Sequence, residues 1–297
     1  MKNTYQIEEI AGPSSREIMF SRILGHRGLI IGAAVLCVIT GMAILAPILT
    51  SHDPFTQDLS NRLVQPFWDE KGSTSHILGT DALGRDYLTR LIYGARVSLL
   101  IGFSTALGSG IIGTVLGLLS GYYGGRVDML VTFIITTRLT LPVVLIALAV
   151  VSLVGGTLPV VVSVLSLLLW DRFAVVIRSA TKQIRSKEFV SAAKAVGCST
   201  PRILFVEILP NLVGSLVVIG SLEVGHAILL ESALSFLGLG VQPPTPSWGL
   251  MVAEGKGLLF FKPWLITFPG VALALLVLSL NLIGDGIRDV TASKGIE

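Results

Sequence analysis

With 52% hydrophobic and only 14% charged residues over 297 positions, and a mean hydropathy of +0.79, the chain has an integral-membrane composition rather than that of a soluble globular protein. Its net charge of +3 is too small to point to nucleic acid as a partner. Cys37 and Cys198 lie far apart, suggest neither a disulfide nor a thiolate metal site, and read as small buried or indifferent residues.

A polar leader, residues 1–28, precedes the first apolar run, which is longer than the roughly 7–15 residues of a signal-peptide core and is expected to stay as an anchor. Spanning helices need about 20 apolar residues. Six runs approach that length: 29–49, 97–121, 129–153, 158–177, 212–236 and 264–283. Lys and Arg concentrate in the leader and in 178–211, with Arg288 and Lys294 beyond the last run, which orients both termini toward the cytoplasm. The expected fold is therefore an all-α integral membrane protein, N-in and C-in. Residues 50–96 form an extracytoplasmic loop, 97–289 a core transmembrane domain with a cytoplasmic loop at 178–211, and 290–297 a cytoplasmic tail.

In the first of these loops, "LGRDYLTRLIYGARVSL" places Leu88, Leu91, Ile92 and Ala95 at helical spacing. It suits either a helix lying in the interface or the polar start of the second span. The Pro- and Gly-rich "GLGVQPPTPSWG", from Gly238, reads as a rigid extracytoplasmic loop entry.

Between the fourth and fifth runs lies "KEFVSAAKAVGCSTPRILFVEILPNL", residues 187–212, which looks soluble. Phe189, Ala192, Ala193 and Val196 share one helical face, and Lys187, Ser191 and Lys194 take the other. Gly197 supplies the left-handed stop. Thr200 as cap and Pro201 at the first helical position announce a second helix, expected to run to Pro210. So short a helix is marginal alone in water. Its apolar face either packs back on the protein's own spans or docks into a cytoplasmic partner.

Ionisable residues at bilayer depth are costly and mark candidate functional positions. Arg138 lies deep in the third run, and the fifth carries Glu223, His226 and Glu231, the first two three residues apart on one face. Glu223 and His226 line a hydrated path, pair with a neighbouring helix, or ligate substrate or metal directly, while Arg138 pairs with a carboxylate from another helix or subunit or faces water. Glu231, near the outer end of its run, reads alone as an interfacial carboxylate. The four histidines, His26, His52, His76 and His226, form no cluster in sequence, and no metal site is expected. No Ser, His and Asp arrangement supports catalysis, and "GLMVAEGKG", from Gly249, has neither the spacing nor the hydroxyl of a phosphate loop.

"SAAKAVG" followed by "EILP" resembles the EAA loop of bacterial importer permeases, whose pattern is Glu-Ala-Ala, three residues, Gly, and a later Leu-Pro. Ala192, Ala193, Gly197, Leu209 and Pro210 match. Ser191 stands where the motif has Glu, and Glu207 where it has an apolar residue. Glu188, one turn earlier, is the candidate substitute for that charge near the helix start, where the dipole favours it. "HILGTDALGRDYLTRLIYGARVSL", "ESALSFLGLGVQPPTPSWG" and "FPGVALALLVLSLNLIGDGIRD" resemble the second permease subunit of the oligopeptide, dipeptide and nickel ABC importers.

That resemblance implies a six-helix type I importer permease in the bacterial inner membrane. It also implies a coupling helix at residues 188–196 and a second, homologous permease as heterodimer partner. Two cytoplasmic ATP-binding subunits would carry the ATP and magnesium, so this chain would need no cofactor and no catalytic residue, and an extracytoplasmic solute-binding protein would deliver peptide. The alternatives are a nickel or other small-solute importer of the same family, and a stand-alone ion-coupled transporter using Arg138, Glu223 and His226.

Overall fold

Apolar runs punctuated by Gly and Pro fold as helices, and the computed structural model describes residues 21–292 as an all-helical chain with two isolated backbone bridges. Helix α1 is Arg27–Ile44, its start capped by the His26 Nδ1, which accepts the Leu29 N–H at 3.1 Å. After a long outer loop, α2 covers Tyr87–Tyr123 without a break. The interfacial helix expected within residues 50–96 is thus the beginning of the second span, which is about 55 Å long at 1.5 Å per residue. Asp86 caps it through the Thr89 N–H at 2.8 Å, and Gly124, at φ +66°, ends it.

The third apolar run is not one straight span. Helix α3, Gly125–Thr140, and α4, Val143–Val154, meet at 83°. Pro142 has no N–H and holds Leu141 in extended backbone, so the helix stops although the apolar pattern continues. Among the described residues five helices are long and apolar enough to cross a bilayer, and this bent pair makes a sixth crossing or a re-entrant loop.

Helices α5, Leu158–Leu168, and α6, Trp170–Arg185, form the next span, extended beyond the expected end to carry Arg178, Lys182 and Arg185. Close approach of α6 to α2 rests on small residues. A Cβ at Gly117 would lie 2.9 Å from the Ala174 carbonyl oxygen, and one at Gly121 would lie 2.6 Å from the Thr181 Cβ.

Helix α7, Glu188–Ala195, leads into a span longer than expected. Ser199, not Thr200, is the cap residue, and Thr200–Arg202 opens a helix that does not end at Pro210. A turn of wider hydrogen bonding over Ile203–Ile208, with the Leu209 N–H donating to the Leu204 carbonyl, absorbs the proline. Helix α8, Leu209–Phe236, follows in line, so one rod runs Thr200–Phe236.

Two more α-helices follow among the described residues. Helix α9, Trp248–Gly255, arises inside the outer loop where only a rigid loop was expected, and α10 covers Trp264–Ala292. Pro269 lies inside α10 and cannot donate to the carbonyl of Leu265, four residues back. The Tyr87 hydroxyl donates to that carbonyl at 2.5 Å. The fold therefore predicts that Tyr87→Phe lowers stability by about 1–3 kcal/mol, the cost of an orphaned buried carbonyl. Adding Pro269→Ala should recover most of that loss, because the helix then supplies its own donor. Reversible unfolding in mixed micelles reads both.

Candidate functional site

At the cytoplasmic end, α7 is held to the rest of the chain by Val190, fully buried among Leu118, Ile177, Ile203, Ile208 and Leu212. The apolar face anticipated from the sequence is turned mostly outward: Phe189 is 42% and Val196 84% exposed, Ala192 is exposed, and Ala193 is half-buried. Gly197, at φ +83°, closes the helix as expected, its N–H donating to Lys194 and that of Cys198 to Ala193. Glu188, Ser191 and Lys194 are exposed, Leu209 is half-buried and Pro210 exposed. Lys194 also lies over the Tyr122 ring at 4.9 Å, where its charge meets the ring face.

Sequence reasoning missed the ionic clamp beneath this helix. Asp128, on α3, accepts from Arg178 Nη2 at 3.0 Å, Lys182 Nζ at 2.8 Å and Ser120 Oγ at 2.6 Å. Arg185 Nη1 donates to the Tyr122 carbonyl at 2.7 Å. The ends of α2, α3 and α6 are thereby locked together below the lever. Only the basic residues spaced along 178–185 hint at it in sequence.

Within the spans two buried carboxylates, Glu223 and Asp171, are paired with arginines. Glu223, on α8 and 1% exposed, accepts from Arg172 Nη1 at 3.0 Å and lies 3.3 Å from His226 Nδ1. Arg138 Nη1, on α3, is 3.3 Å from Asp171 Oδ2. Adjacent residues of α6, Asp171 and Arg172, thus reach two different helices. The Arg172 side chain remains 53% exposed, and a charge left open to lipid at bilayer depth would be costly. Glu231 is fully buried rather than interfacial. Its Oε1 accepts from Ser235 Oγ at 2.7 Å and Ser247 Oγ at 3.0 Å. Ser247 in turn caps α9 by accepting the Leu250 N–H at 3.1 Å.

The outer end is closed by a second ionic cluster. Arg85 Nε donates to Asp81 Oδ2 at 2.6 Å and its Nη2 to Glu254 Oε1 at 3.2 Å. Arg90, wholly buried, donates to Asp81 and, at 2.7 Å, to Glu254 Oε2. Trp248 Nε1 donates to the Leu91 carbonyl at 2.8 Å. In the same loop two histidines that stand apart in sequence come together with a carboxylate: His52, His76 and Asp86 bring ligand-type atoms within 4.8 Å of one another.

The helical arrangement resembles that of a solved ABC importer. The inward-facing MetNI methionine ABC transporter matches with a TM-score of 0.57 at 17% identity, covering 69% of this chain and 96% of that one. At that identity the likeness is one of fold. Residues 113–294 match the model described as "Binding-protein-dependent transport system inner membrane component". Residues 16–66 match the "N-terminal TM domain of oligopeptide transport permease C".

Curated relatives extend the likeness along the chain. The "Dipeptide transport system permease protein DppC" of Alkalihalophilus pseudofirmus is 40% identical, covering 93% of this chain and 88% of that protein. Its namesake from Haemophilus influenzae is 37% identical over 91% of each. The "Glutathione transport system permease protein GsiD" of Pectobacterium atrosepticum is 39% identical over 76% of this chain and 75% of its own length. The chain belongs to the binding-protein-dependent transport permeases of the inner membrane.

The paired charges make a prediction. Arg172→Met leaves Glu223 buried with His226 alone and should lower stability by about 1–3 kcal/mol. Combining it with Glu223→Gln should restore much of that loss, as thermal unfolding of the solubilised chain would register.

Proposed function

We propose that the chain is one half of the membrane pathway of an ATP-driven importer of small peptides, working with a second, similar permease. Two cytoplasmic subunits would bind ATP and magnesium, and an extracytoplasmic solute-binding protein would deliver the peptide. Peptides are favoured as cargo because the dipeptide permeases named above match along nearly the whole chain.

The observation that carries the coupling role is the exposure of Phe189 and Val196 on a helix whose other side is anchored by Val190. An apolar face held outward in the cytoplasm is suited to a cleft on another protein. Burying each side chain there would contribute about 1.5–3 kcal/mol. Closure of the ATP-binding subunits around ATP would draw α7 sideways. The continuous rod Thr200–Phe236 would carry that displacement to Glu231 and the outer loop, alternating access between the two sides. Ser191, exposed in the first helix, does not bring the negative charge of the family pattern. Glu188, also exposed, would supply it instead.

Reconstitution of the whole complex in liposomes tests this reading. Phe189→Ala with Val196→Asp should reduce ATP-dependent dipeptide uptake by about tenfold or more while the spans stay folded, since even one lost contact of about 1.4 kcal/mol is tenfold in affinity. Uptake by the purified chain alone, driven by an ion gradient and indifferent to ATP, would contradict it.

A further inference from the structure

We propose that His52, His76 and Asp86 form a binding site for a divalent transition-metal ion of the zinc class on the extracytoplasmic face. The three residues come from separate pieces of chain: the exit from the first span, the outer loop, and the cap of α2. Each offers one ligand-type atom, an imidazole nitrogen or a carboxylate oxygen, and these lie within 4.8 Å of one another. Two imidazoles with one carboxylate suit zinc, nickel or copper(II), whereas magnesium and calcium take oxygen ligands. Three protein ligands leave a fourth tetrahedral position to water.

The carboxylate is set in place before any ion arrives. Asp86 is 6% exposed, and its Oδ2 accepts the Thr89 N–H at 2.8 Å, which aims the other oxygen at His76 Nδ1, 2.9 Å away. Such outer hydrogen bonds orient a ligand and tune its basicity. His76 is in turn fixed by its turn, the Gly79 N–H donating to the His76 carbonyl at 2.8 Å. The pair His76 and Asp86 could serve simply to tie the loop to the helix start. That role does not account for His52, an exposed residue whose ring stacks on His76 with centroids 5.0 Å apart and planes at 35°.

Metal–ligand distances of about 2.0–2.2 Å put neighbouring ligand atoms about 3.3 Å apart in a tetrahedron. Closing the site from a separation of 4.8 Å thus asks for a shift of about 1.5 Å at most. His52 can supply it, since it stands in a bend just before the turn in which the Phe55 N–H bonds Asp53 Oδ1. A bound ion would join the exit of α1 to the entry of α2 and brace the outer cap.

The test uses the full chain, free of any affinity tag, in lipid nanodiscs after chelator dialysis. Zinc is titrated calorimetrically, and cobalt(II) is titrated as a spectroscopic probe of ligand type. The expected result is one zinc per chain, a cobalt spectrum of mixed nitrogen and oxygen ligation, and a zinc-dependent rise in thermal midpoint. His52→Ala removes an exposed side chain and should fold normally. It should weaken zinc binding by about tenfold or more and abolish the rise in midpoint. His26→Ala, at the opposite end of the chain's first helix, should bind zinc as the wild type does. Absence of stoichiometric binding by the wild type overturns the proposal, as does equal affinity in His52→Ala or loss of binding in His26→Ala.

Discussion

The buried cluster of Asp81, Arg85, Arg90 and Glu254 is the interaction on which the outer half of the molecule depends. Two guanidinium groups and two carboxylates neutralise one another where water is largely excluded, Arg90 being wholly buried and Glu254 the most exposed member at 29% of its side chain. A buried ion pair contributes little net stability against an apolar replacement, but removing one partner strands a charge at about 3–5 kcal/mol. The cluster therefore fixes position more than it adds stability. It binds the entry of α2 to α9, and Tyr87 and Trp248 add hydrogen bonds that tie the same region to α10 and back to α2. The stretches "LGTDALGRDYLTRL" and "PSWGLMVAEG", far apart in sequence, meet there.

A fixed outer end makes sense of the inner one. Helix α2 runs unbroken from the ionic cluster to the Asp128 clamp, and α6 packs along it with no room for a Cβ at Gly117 or Gly121. Against that frame α7 is attached through one fully buried side chain, Val190, and is followed by the rod that carries Glu231, bonded to the α9 cap, near its outer end. The frame is thus tied at both ends, while the element facing the cytoplasm is a short helix with an uncovered apolar side. Such an arrangement suits transmission of movement from a partner, since the local anchoring of α7 is slight and the rod behind it is continuous.

Much of this was legible in the sequence, and the failures have physical causes. Hydropathy locates the spans because a helix in lipid satisfies its own backbone, so apolar length is nearly sufficient evidence. Gly197 marked the end of α7 for the same local reason, its left-handed backbone. Pro142 stood in view, yet the run around it stayed apolar, and hydropathy is blind to an 83° bend. The sequence grouped Phe189, Ala192, Ala193 and Val196 as one apolar face, but it did not tell which side of α7 the protein itself would cover. Val190 does that work because of its neighbours on α2, α6 and the rod. The pairs Arg172 with Glu223 and Arg138 with Asp171, and the meeting of His52, His76 and Asp86, arise from tertiary contacts with no local signature.

The claim that the outer cap is held by charge pairing is tested most directly by a double-mutant cycle on Arg90 and Glu254, measured by reversible unfolding in mixed micelles. The two side chains should couple by about 1.5–3 kcal/mol, so that Arg90→Met together with Glu254→Gln is far less destabilised than the single changes summed. Additivity of the two changes within about 0.5 kcal/mol would contradict the account.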